Sequence, residues 1–395
     1  MNPEILIWAR RTAGLSVKEA AHALGFKDTS SRSAAERLEI LEAGEEEPSR
    51  SVLLRMAKAY RRSLLVFYLK EPPRTGDRGQ DFRTVAGAQP PLFDPVLDAL
   101  IRDLRGRQTI AKFLLQENEA SPVPFIGIGS IDQPAEALAR RMVEEMSFSL
   151  TEYRRQQTIE LAFRYLRTKI EGTGVFLLLL GNLGSHHTNI STDIFRGFAI
   201  ADHVAPFIVI NDQDARAAWA FTAIHELAHL WLGTTGVSSI SSEARIERYC
   251  NDAASEVLFP AVELEQLARI RTATLSDTID AITTFAKDRK ISRAMVAYKL
   301  QRAGVIGEAR WRELGQYLRQ EWLASRARRE DQVDERGGPS YYVVKRHRLG
   351  NALLSLARSS LGEGILTPTK AGQLLGVKPR NVDPLLSGAL LGEGR

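Results

Sequence analysis

An apolar run from Ala217 to Leu232 carries His225-Glu226-Leu227-Ala228-His229, and no other stretch constrains the fold as strongly. The run reads as a helix. Histidines four residues apart fall on one helical face, so both imidazoles can reach a single metal ion. The intervening Glu226 projects beside that ion, where it can take a proton from a metal-bound water. The plainer alternative is a buried helix whose two imidazoles are satisfied by backbone carbonyls.

At 395 residues the chain is long enough for two or three domains with real cores. The single cysteine, Cys250, excludes a disulfide framework and a cysteine-rich zinc site, and it fits a reducing cytosol. The first eleven residues lack the apolar core of a secretory signal. The longest apolar run, Val175 to Leu180, is too short to span a bilayer and reads as a buried strand. A cytoplasmic protein without membrane contact is therefore expected. The net charge of +5 permits contact with nucleic acid without demonstrating it. Nothing resembles a P-loop, a dinucleotide fingerprint or a serine triad.

The expected fold class is mainly α with a small β-sheet (α+β). Residues 1–71 read as an all-helical N-terminal domain. Ser16 and Glu19 form a capping box, a third helix runs from Ser33 to Leu41, and Pro48-Ser49 opens a fourth. A Pro/Gly-rich linker at 72–91 follows, with Pro72 to Phe82 a candidate gate over an active site. Residues 92–270 are expected to hold helices, then strands at Val175–Leu180, Arg196–Ala201 and Pro206–Asn211, then the metal helix. An extended substrate could pair with the sheet along Ala199–Asp202 or along the strand before Asn211. Residues 271–395 read as a helical C-terminal region. There Thr367 to Val382 outlines a small helix-turn-helix around Gly376.

Catalytic zinc usually takes three protein ligands. The helical segment after Ile246 offers Glu247, with Glu243 and Glu256 as competitors. Glu256 lies more than two turns from Glu247, too far to share one site with it. Spacing alone does not choose between Glu243 and Glu247.

Phe221 to Leu230, then Glu247-Arg248-Tyr249-Cys250-Asn251, then Glu256 to Pro260, together resemble the ImmA/IrrE metallo-endopeptidases. Their pattern is H-E-x-x-H, then E-x-x-A-N, then a segment ending in proline. The likeness is close from Gly172 to Pro260 and looser as far as Leu386. It implies a zincin-like peptidase domain with one Zn2+ (Mn2+ or iron would also suit such a site), held by His225, His229 and Glu247, with Glu226 as general base. Cys250 stands where the family usually has alanine, and it reads as a small buried side chain.

Arg11 to Ser16, Glu19-Ala20-Ala21, Glu42-Ala43-Gly44, Pro48 and Leu53-Met56-Ala57 resemble the XRE-type helix-turn-helix. That likeness implies DNA binding through Ser31, Arg32, Ser33 and Arg37 at the third helix. With 12 basic and 10 acidic residues, however, this segment lacks a strong electrostatic footprint for a duplex.

The resemblances together imply an endopeptidase fused to a regulatory domain. Its partners would be a repressor- or toxin-like protein substrate and double-stranded DNA, in stress response or mobile-element control. The alternative is a transcriptional repressor or antitoxin whose metal site is not catalytic. For the oxyanion donor, His203 ranks ahead of His186, His187 and Tyr249, because it follows a strand near the expected cleft. The basic cluster Arg326–Arg329 reads as a solvated helix end. Lys345–Arg348, which follows Tyr341-Tyr342, offers either stacking on unpaired bases or a packed surface strand.

Overall fold

The computed structural model describes residues 1–73, 94–185, 188–233, 240–333 and 340–387, without the side chains of 240–243 and 326–333. The expected linker and gate lie, from Arg74 on, outside the described residues. As expected, the described chain is mainly helical with one small three-stranded sheet. It divides into two compact units. The first gathers residues 1–73 with the opening turns of a helix beginning at Pro95, and the second gathers nearly all the described residues from Arg105 onward.

The first unit holds α1 (Pro3–Thr12), α2 (Val17–Ala23), α3 (Ala34–Ala43) and α4 (Arg50–Ala59). Local chemistry sets these boundaries. Ser16 and Ser33 each accept from the backbone N–H three residues on, and Glu19 and Glu36 return the bond as capping boxes. Ile5, Leu24, Leu38, Met56 and Phe67 close a small core. Arg10 donates through Nε and Nη2 to both Glu42 carboxylate oxygens, at 2.7 and 2.8 Å. Glu42 is therefore a buried partner and not part of an acidic surface. Ten residues separate α2 from α3, where a tight helix-turn-helix uses three or four.

The second unit opens with the remainder of α5 (Pro95–Glu117). It continues through α6 (Ala135–Glu145), α7 (Leu150–Arg155), α8 (Ile159–Glu171), β1 (Phe176–Leu179), β2 (Gly197–Ile200) and β3 (Phe207–Ile210). The strand order is β1-β3-β2, with β1 parallel and β2 antiparallel to β3. β1 and β3 are apolar at every position and buried throughout. Because β3 is central, both of its edges are occupied. The strand before Asn211 therefore cannot receive a substrate segment, and of the two candidates only β2 lies at an edge.

α9 (Arg216–Leu232) carries the histidines and is buried from Trp219 to Trp231. A helix apolar all round must be enclosed by other elements, and α9 lies across β2 and β3 between α8 and α10 (Ile240–Leu258). Its last turn is closed from outside: the Gly127 amide donates to Leu230 O at 3.0 Å, and the Gly129 amide to Trp231 O at 2.7 Å. Phe125 stacks on Trp231 at 5.0 Å.

The hydrophobic core around α9 includes Ile282 and Phe285 of α11 (Leu275–Arg289) and Val296 and Leu300 of α12 (Arg293–Arg302). It thus runs across the boundary expected at residue 270. Beyond α13 (Glu308–Val333) come α14 (Tyr341–Leu349), α15 (Asn351–Gly362), α16 (Pro368–Leu375) and α17 (Val382–Ser387). The Tyr341-Tyr342 segment forms a helix and not the surface strand considered for it. Its β-favouring residues yield to packing of α14 on β1. Arg167 anchors this region. Its fully buried guanidinium donates to Leu177 O, to His347 O at 2.5 Å and to Glu171, while Glu171 accepts from the Asn351 and Ala352 amides that open α15.

Candidate metal centre

His225 and His229 lie one turn apart with Nε2 atoms 3.0 Å from each other, and both side chains are essentially inaccessible to solvent. Glu247 approaches from α10: its Oε1 is 3.1 Å from His229 Nε2 and its Oε2 is 3.4 Å from His225 Nε2. For a zinc ion with ligand bonds near 2.05 Å, the edge of a tetrahedron is about 3.3 Å. The three donors sit at that spacing. They are the one cluster of metal-binding residue types among the described residues whose ligand atoms all fall within 4.8 Å of one another. Two imidazoles and a carboxylate are a donor set that suits zinc and leaves a fourth position open. Burial alone would raise the Glu247 carboxyl. The charge of His225 and hydrogen bonds from both imidazoles outweigh it and hold the group well below the ordinary carboxylate range.

Glu226 is buried beside the cluster. Its position depends on Gly197 at the start of β2, where α9 comes so close that an added Cβ would lie 2.5 Å from Thr222 Cγ2 and 2.9 Å from Glu226 Oε1. Gly197 was not singled out in the sequence. A glycine opening a strand is the signal for such an approach.

α10 is held in turn by α12. Arg302 donates through Nε and Nη2 to the two carboxylate oxygens of Asp252, at 2.9 and 2.6 Å, and Tyr298 donates its hydroxyl to Asp252 at 2.7 Å. Lys299 pairs with Glu256. Glu256, considered as a ligand, is thereby committed elsewhere. The Glu243 side chain lies outside the described residues.

His203 is exposed on the turn beyond β2, where its backbone carbonyl accepts from the Val123 amide at 2.6 Å. His186 and His187 lie outside the described residues. Tyr249 is two residues from Glu247, on another face of α10, near Glu136 and Arg141 of α6. Cys250 is fully buried in the core.

The residues expected to contact DNA serve their own unit. Ser33 caps α3, Arg32 pairs with Glu46 at 2.9 Å, Arg37 lies over the Phe26 ring at 5.0 Å, and Ser31 is exposed beside Thr29. The second basic cluster is also engaged: Arg348 pairs with Asp212 at 2.6 Å, and Arg346 donates to Leu385 O.

The site is thus a buried cluster of two histidines and one glutamate that could hold a metal ion, built on two adjoining helices against a small sheet. Residues 185–301 match the family model described as the IrrE N-terminal-like domain, a peptidase family, which supports a relationship to the ImmA/IrrE proteins. The matched segment contains all three donors and Glu226, and it ends in α12, the helix that clamps α10. Comparisons with curated proteins and with solved structures gave no match. No helix among the described residues is long and apolar enough to cross a membrane.

Proposed function

We propose that this chain is a zinc-dependent endopeptidase in which His225, His229 and Glu247 hold the ion and Glu226 is the general base. One observation carries the reading: three donors at tetrahedral spacing stand beside a buried carboxylate that is not needed as a ligand. A bound zinc ion would polarise the scissile carbonyl and acidify water, and Mn2+ would serve similarly. Glu226 takes the proton from the attacking water and returns it to the leaving amine. The edge of β2, which begins against Glu226, can hydrogen-bond an extended segment of the substrate. A single repressor- or toxin-like protein is the proposed substrate, on the strength of the resemblance.

The engagement of Ser33, Arg32 and Arg37 within the N-terminal unit favours a protein-facing regulatory role for that unit over DNA reading. The test is to express wild type and Glu226→Gln in the same cells and compare the new protein N-termini by mass spectrometry. The proposal expects termini found only with wild type, while both purified proteins retain metal. Identical termini in the two would favour the non-catalytic repressor or antitoxin.

A further inference from the structure

Charge is distributed unevenly along this chain. Residues 340–387 contain seven Lys or Arg and only two Asp or Glu, while the other residues contain 46 of each. By count the surplus of +5 therefore falls in α14 to α17, where Arg348 is paired with Asp212 from outside the segment. Single-sign concentration of this kind is the electrostatic footprint of nucleic-acid binding, and the N-terminal unit lacks it.

The geometry agrees with the charge. α16 ends at Leu375, and helical structure resumes at Pro379 and continues through α17 to Ser387, so three residues make the turn. A helix-turn-helix uses three or four residues there, often with glycine. Gly376 is left-handed at φ +61°, and a Cβ on Gly372 would lie 2.8 Å from Val377 O, so the close return needs both glycines. Ala371, Leu374, Leu375, Val382 and Leu385 face inward.

Lys370, Lys378 and Arg380 are exposed, and their side chains form no ion pair among the described residues. Lys378 and Arg380 stand where the second helix begins, the part of a recognition helix that meets base edges. Lys370 lies on the first helix, which crosses the phosphates in that arrangement. The Arg107 guanidinium lies against Gly376 beneath the turn.

We propose that α16, the Gly376 turn and the helix from Pro379 to Ser387 form a binding element for double-stranded DNA. This proposal stands apart from the peptidase reading and involves none of its residues.

The experiment uses the full chain and a labelled mixed-sequence duplex about two helical turns long, with affinity read by fluorescence anisotropy across a range of salt. Wild type is expected to bind, with log K falling linearly in log salt. The triple variant Lys370→Gln, Lys378→Gln, Arg380→Gln is expected to bind at least about tenfold more weakly at low salt and to lose about two units or more of the salt slope. The control Arg32→Gln, Arg37→Gln is expected to bind as wild type. Circular dichroism confirms that each variant folds. Absence of duplex binding by wild type overturns the proposal. So does a triple variant that binds as wild type, a control that loses as much, or tighter binding to a single strand or to anionic phosphatidylserine vesicles than to the duplex.

Discussion

Replacing Gly197 by alanine should disable the site without touching any residue of its chemistry. The added methyl would lie 2.5 Å from Thr222 Cγ2, 2.9 Å from Glu226 Oε1 and 3.1 Å from Glu226 Cγ. Ordinary carbon contacts are about 3.5–4.0 Å, so α9 must retreat from β2 by about 1 Å or Glu226 must swing aside. Overpacking of this degree costs about 1–3 kcal/mol. In a protein of this size that lowers the melting midpoint by a few degrees, at about 2–4 °C per kcal/mol. Displacing a catalytic group by about 1 Å costs about a hundredfold in rate.

The assay is turnover of a reporter peptide containing the cleaved bond, read beside metal content and thermal melting. Gly197→Ala should keep its metal, melt a few degrees lower and turn over about a hundredfold more slowly. Thr222→Ser removes the closest methyl while keeping the hydroxyl, so the double variant should recover part of the rate, a non-additivity expected of touching residues. Wild-type rate and stability in Gly197→Ala would refute the packing argument. Loss of metal would refute the view that only Glu226 is displaced.

Other substitutions probe the supports of the site. Arg167→Ala strips the partner from a buried Glu171 and should cost about 3–5 kcal/mol in urea unfolding, the largest loss among these variants. Arg302→Gln breaks a partly exposed pair with Asp252 and should cost about 1 kcal/mol or less. Because α10 carries Glu247, zinc affinity in a chelator competition should fall as well, with Arg302→Lys intermediate. At Asp202, burial alone would raise the carboxyl, but the hydrogen bonds from Lys112 and from the Ala205 and Val204 amides outweigh it and hold the group below its usual value. A depressed carboxyl stabilises the fold above its unfolded pKa of about 3.9, and that contribution disappears as pH falls through the lower folded value. Asp202→Asn should therefore melt below wild type at neutral pH and converge with it in more acidic buffer.

The metal helix was legible because its chemistry is local. The H-E-x-x-H spacing dictates a shared face, and the Ser16–Glu19 box is written in four consecutive residues. Glu247 was legible only with the family resemblance, since Glu243 and Glu256 offered the same carboxylate. The structure commits Glu256 to Lys299, a partner 43 residues away. Gly197, the capping of α9 by Gly127 and Gly129, and the hub at Arg167 depend on contacts between distant segments, which periodicity does not encode. The likeness of the N-terminal helices to an XRE-type domain rested on short local motifs. It missed the ten-residue gap between α2 and α3 and the internal engagement of Arg32 and Arg37.

Metal stoichiometry tests the central claim most directly. Purified wild type and Glu226→Gln, dialysed against buffered zinc, should each hold one equivalent by plasma mass spectrometry. His229→Ala and Glu247→Ala should hold far less. If wild type binds no stoichiometric metal, or if Glu247→Ala retains it as tightly as wild type, the three-donor centre is not what these helices build.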